Sequence, residues 1–190
     1  MTDLTVLSAS TETAVSIDLA KDFLGIGHDG EDALVGELLQ AASARLEQAS
    51  GIVLLSQIYA LRWLQWPSEI AGRGARLLRR PVQTLVSVVV EQEDGSTVEH
   101  TERFKLECGR LRLRPWSFLP PIVPTARAKV EFVAGYGGTE AVPADLREAT
   151  LRLVASMYMS RPVGTVKSGM DPGIPEDVQA ILRAHDQVRL

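Results

Sequence analysis

The chain has 190 residues, 45% of them apolar and 23% charged, with a formal net charge of −4 and a pI near 5.4. That length suits one domain with a sizeable core and is short for two, and the acidic balance argues against general phosphate-backbone binding while leaving room for a local basic patch. Cys108 is the only cysteine, which excludes an internal disulfide; "MTDLTVLSASTETAVS" lacks the basic-then-apolar order of a secretory leader, and no apolar run approaches the ~18–20 residues of a membrane span. The expected setting is soluble and cytosolic at synthesis, in a reducing compartment, with no membrane partner.

Residues 1–14 are rich in Ser and Thr and show no periodicity, so a flexible N-terminal arm is expected. Ser16 suits the N-cap of a helix over 16–25, with Asp18 in its first turn and Gly25 at its end. A longer helix over 29–50, capped by Asp29, carries Leu34, Val35, Leu38, Leu39, Ala42 and Leu46 on one side and stops at Gly51. From Ile52 the grammar turns to strands. "IVLLSQIYALRWLQW" places Val53, Leu55, Tyr59, Leu61 and Trp63 on one parity, and "PVQTLVSVVVEQEDGSTVEH" is a hairpin pattern around Asp94-Gly95. "RFKLECGRLRLRP" reads as a polar hairpin around Gly109, and "RAKVEFVAGYG" alternates Ala128, Val130 and Phe132 against Lys129 and Glu131. Residues 52–137 are therefore expected to be antiparallel β.

Helix returns over 143–160, with Pro143 in its first turn and a stripe of Leu146, Ala149, Thr150, Leu153, Val154 and Met157. "RPVGTVKSGMDPG" then breaks regularity, "IPEDVQAILRAHD" is a last short helix, and "QVRL" a free end. The expected fold is α+β, mainly a helical bundle of about four helices, with an antiparallel β insertion between the second and third. A domain over 15–162 is followed by a C-terminal loop, short helix and tail over 163–190.

No catalytic constellation is evident. "GYGG" before a helix has the layout of a phosphate loop, but Glu140 stands where a dinucleotide fingerprint needs its third glycine, and no βαβ unit surrounds it. The reading there is a sharp corner, with Gly137-Gly138 at positive φ. His28, His100 and His185 are isolated and read as solvated surface residues, with no zinc spacing; Asp186 beside His185 is a sequence neighbour, not a dyad. No cofactor and no metal are expected. Arg73, Arg76, Arg79 and Arg80, with more arginines over 103–114, form the best candidate for an anion or acidic partner; a solvated sheet edge is favoured for them, since interleaved aromatics are missing. In "RPWSFLPPIVP", Trp116 and Phe118 lie among four prolines. Either they fold back over the sheet or they are presented to a partner as interface anchors.

The order of parts — "AVSIDLAKDFLGI…EDALVGELLQAASARLEQASGIVL", "RRPVQTLVSVVV", "VEFVAGYG", "VPADLREATLRLVASMYMSR" — resembles the head–tail connector, or adaptor, family of tailed bacteriophages and gene transfer agents, over roughly residues 14–162. The resemblance implies a non-enzymatic virion structural protein, made in the bacterial cytoplasm and placed at the neck. It implies a dodecameric ring under the portal protein that extends the DNA channel and docks a stopper or other neck or tail protein, while DNA passes without sequence-specific binding. It also implies portal contact through the C-terminal segment, here Arg183, Gln187, Val188, Arg189 and Leu190. The alternatives are another neck protein (stopper or tail completion), a DNA-binding packaging accessory resting on the Arg73–Arg80 cluster, and an enzyme for which no residues stand out.

Overall fold

In a computed structural model, residues 2–92, 95–160 and 173–187 are described. The expected loop over 161–174 and the tail residues Val188, Arg189 and Leu190 thus fall largely or wholly outside the described residues, as does Asp94 of the hairpin turn. The described residues form an α+β fold of four helices and two antiparallel sheets. They divide into two compact units, Met1–Ser10 with Ser56–Tyr136 and Thr11–Leu55 with Gly137–Leu190, where length alone suggested one.

The first unit is β-rich. Its larger sheet has the order β1-β2-β8-β4-β5, with β1 Thr2–Ser8, β2 Gln57–Trp63, β4 Val82–Glu91, β5 Thr97–Glu99 and β8 Arg127–Ala134. Central β8 alternates as its sequence demands: Ala128, Val130, Phe132 and Ala134 are buried. Tyr59 lies opposite Phe132 in the register, and their rings stack at 5.8 Å. The other face is polar, with Lys129 bridging Glu131 at 2.8 Å and Glu91 at 3.4 Å, and Arg62 reaching Glu91 at 3.2 Å. The smaller sheet has the order β3-β7-β6, from Ala75–Arg76, Arg110–Leu113 and Phe104–Glu107. Cys108 and Gly109, both at positive φ, make the two-residue turn between β6 and β7.

Two expectations are corrected here. The residues read as a loose arm contain β1, an edge strand paired with β2 along Thr2↔Trp63 to Ser8↔Ile58. Alternation of Leu4 and Val6 with Thr residues supports a strand, but β1 buries neither face, so its sequence lacks the apolar contrast that marks strands. The fold is accordingly not mainly helical, and its sheet begins before the first helix. The strand expected from Ile52 starts at Gln57 instead. Ile52 to Leu55 are all buried in the helical unit, with the Leu54 N–H donating to Glu47 Oε1 at 3.0 Å.

That second unit holds α1 Ile17–Leu24, α2 Asp32–Ser50, α3 Ala144–Met159 and α4 Glu176–Gln187. Ser16 caps α1 by accepting the Leu19 N–H, and Gly25 and Gly51 close α1 and α2. Val35, Leu39, Ala42 and Leu46 of α2 are buried, as are Leu146, Ala149, Leu153 and Val154 of α3; the Thr150 hydroxyl is satisfied by the Leu146 carbonyl. Asp29 does not cap α2. It belongs to a 3₁₀ turn, Asp29–Glu31, and its carboxylate meets Lys21 Nζ at 2.7 Å. Asp32 meets the same ammonium at 2.7 Å, which leaves Lys21 only 7% exposed. The two carboxylates hold the Lys21 pKa well above its ordinary range, chiefly through the hydrogen bond that Lys21 donates to Asp29. With its lysine turned inward, α1 presents Ile17, Leu19 and Phe23 outward.

The connection from β8 to α3 turns at Gly135 and Gly137, both at positive φ, while Gly138 is at φ −83. A Cβ at Gly137 would stand 3.2 Å from that of Ala141, in a short 3₁₀ turn Thr139–Ala141. Glycine is required at 137 for both reasons. Pro143 takes the N-cap position of α3 rather than its first turn.

Candidate partner-binding surfaces

Between β7 and β8 the chain makes a turn, Arg114–Ser117, closed by the Ser117 N–H to the Arg114 carbonyl at 3.2 Å. Pro115 fixes the first central position and Trp116 takes the second at φ +64, the geometry of a type II turn. Glycine is the usual occupant there, because the left-handed region strains any residue with a Cβ. The turn is fastened on both sides. The Arg114 N–H and side chain bond the carbonyls of Arg103 and Phe104 at 2.8 and 3.0 Å, and the Trp66 indole N–H donates to the Pro120 carbonyl at 2.8 Å. Trp116 nevertheless stands 100% exposed and Phe118 83%. Of the two sequence alternatives, folding back over the sheet is therefore not what these side chains do. They flank a shallow hollow of about 360 Å³ with Glu102 and Arg103.

The arginines differ in what holds them, and Arg110 both bonds a carbonyl and borders a recess. Arg112 donates to the Gly72 carbonyl at 2.7 Å and to Glu107 at 2.6 Å, Arg110 reaches the Gly74 carbonyl at 3.0 Å, and the Arg79 guanidinium lies 5.8 Å from the Tyr59 ring centroid. These tie loops to the small sheet and to β2. Arg73 and Arg76 are exposed instead and, with Arg110, border a hollow of about 390 Å³ whose apolar wall includes Trp63 and Leu78. Gly74 lets this loop approach β7 closely.

In the helical unit α4 docks on α3 through Val178 and Leu182, with Arg152 bridging to Asp177 at 2.6 Å and His185 meeting Asp145 at 2.6 Å. His185 is thus paired, against the expectation of a solvated histidine. The Arg152 hydrogen bond lowers the Asp177 pKa. Arg183 is exposed on α4 and donates to Gln179 Oε1 at 3.1 Å. Gln187 ends the helix. The structure brings Trp116 and Phe118 together, and keeps them in a different unit from Arg183 and Gln187. No group of three metal-ligating side chains, and no helix long and apolar enough to cross a membrane, occurs among the described residues.

No protein-family model matches the chain, and no curated protein matches it. Solved structures do. A chain from the neck of an empty gene transfer agent (GTA) particle, computed with C6 symmetry, superposes with a TM-score of 0.76 at 26% identity, covering 99% of this chain and 97% of that one. The chain has the fold of a GTA neck protein. A chain from the neck of a native GTA particle, computed with C12 symmetry, gives a TM-score of 0.77 at 25% identity, with 99% and 97% covered. One from the virion of a native GTA particle gives 0.76 at 26%, with 98% and 96% covered. The coverage of the two neck chains extends beyond the region of the sequence resemblance to include β1.

Proposed function

We propose that this chain is a structural, non-enzymatic subunit of the neck of a gene transfer agent particle and that, within the neck, it is the head–tail adaptor. It forms a ring under the portal protein, extends the DNA channel and docks the next neck or tail component. The observation that carries this reading is the likeness to neck chains over almost the full length of both partners. Their C6 and C12 symmetries support repeated copies around an axis, and twelve copies is the stoichiometry we favour. The exposed aromatic side chains of Trp116 and Phe118 suit a protein that acts by contact. The net charge of −4 suits a conduit that lets DNA pass without holding it.

Portal attachment is assigned to the C-terminal segment, with Arg183, Gln187, Val188, Arg189 and Leu190 as its contacts. Co-purification tests the adaptor role: the protein should be retained by immobilised portal, and a stopper or tail-completion protein would bind another neck component and not portal. A packaging accessory that binds DNA is the second reading, favoured only by the Arg73, Arg76 and Arg110 hollow. It requires DNA affinity that falls steeply as salt rises.

A further inference from the structure

A closed ring needs a surface on each copy that fits a different surface on the next. Two features of the β-rich unit have that relation. The arginine-bordered hollow is lined by Thr2 of β1 and by Ala75 and Arg76 of β3, and each of those strands is an edge of its sheet. Trp116 lies instead beside Glu102 and Arg103, the short link from β5 to β6, which are the opposite edges of the same two sheets. A projecting side chain at one edge and a recess at the other is head-to-tail geometry.

We propose that Trp116 of one copy seats in the hollow bordered by Arg73, Arg76 and Arg110 of a second copy of this chain, as a lateral contact of the ring. The proposal rests on the ring reading above. At about 390 Å³ the hollow falls in the size range of small-molecule pockets and admits an indole. Its walls offer guanidinium groups, which favour an aromatic face, and the apolar surface of Leu78. Each face carries both signs, so charges can pair across the contact: Glu102 lies with Arg103 beside Trp116, and Glu69 lies with Arg73 and Arg76 at the hollow, which lets Glu102 meet an arginine and Arg103 meet Glu69. The contact also accounts for a feature that the lone subunit leaves unexplained, a fully exposed tryptophan held at positive φ by a fastened turn.

Cysteine pairing tests this on the full chain. In a Cys108→Ser background, a protein carrying both Trp116→Cys and Arg76→Cys is assembled with portal and oxidised. The expected product is a ladder of disulfide-linked copies. The two single variants should cross-link only when mixed, and Trp116→Ala should weaken assembly about tenfold or more, with Trp116→Phe restoring part of it. Rings visible by electron microscopy without any ladder would overturn the contact and leave the neck reading standing. Wild-type protein that forms no ring with portal and is absent from particles would remove the ring reading, and the contact with it. Normal rings from an Arg73→Ala/Arg76→Ala variant that loses salt-sensitive DNA binding would make the hollow an anion site and overturn the proposal.

Discussion

Replacing Trp116 by glycine should stabilise the isolated subunit. The indole is fully exposed, so its removal forfeits no buried surface within the subunit. At φ +64 the residue carries the left-handed penalty of about 1–2 kcal/mol, which glycine lacks. Glycine also loosens the unfolded chain, which offsets about 0.4–1 kcal/mol of that gain. The net expectation is a gain of about 0–1.6 kcal/mol, centred on ~0.8 kcal/mol, at roughly 2–4 °C in Tm per kcal/mol for a chain of this length. Trp116→Ala keeps both the strain and the exposure, so it should fall within about 0.5 kcal/mol of wild type. Calorimetry and urea titration of dilute protein, below the concentration at which rings form, separate the three variants. Loss of about 2 kcal/mol or more in Trp116→Gly would mean that the indole packs on its own subunit, and would refute the strained-anchor reasoning.

Leu153→Asp puts a carboxylate on the buried stripe of α3 and should cost about 3 kcal/mol or more; a wild-type melting curve would show that this face is not core. Gly74→Ala should cost about 2 kcal/mol or more in urea titration, because φ is +86 and the new Cβ would meet Arg112 Cγ at 2.5 Å and the Leu111 carbonyl at 3.2 Å. Lys129 holds the Glu131 carboxyl below its ordinary range, so this pair stabilises the fold above about pH 4.3 and the benefit is lost as pH falls through the lower folded-state value. Lys129→Met should therefore flatten the acid limb of the stability–pH profile, and an unchanged limb would count against the pair. Deleting residues 188–190 should leave the melting temperature unchanged and weaken retention on immobilised portal.

The helices and the hairpins around Gly95 and Gly109 were legible because each couples an apolar period to a stop or turn residue; β8 was legible because its two faces differ in polarity along its whole length. β1 was hidden for the opposite reason: its brief alternation over Leu4, Thr5 and Val6 is broken by Leu7, and as an edge strand it buries neither face. Ile52 to Leu55 were misread because a buried apolar run looks the same in a strand as in a packed connection. The inward turn of Lys21 depends on two carboxylates 8 and 11 positions further along, Asp29 and Asp32, brought together only by the packing of α1 against the following turn. Pro115 before Trp116 does signal a turn, but whether the indole returns to the sheet is a tertiary fact, settled by its full exposure. The arginine cluster read as one patch because sequence proximity does not say which guanidinium groups find backbone carbonyls and which border a recess.

Single-particle imaging of the purified protein with its portal, at a resolution that allows subunits to be counted, is the decisive measurement. A closed ring of this chain, twelve copies seated coaxially against the portal with an open central channel, is the predicted image. A monomer that leaves the portal bare, or a closed plug across the channel, would contradict the adaptor reading.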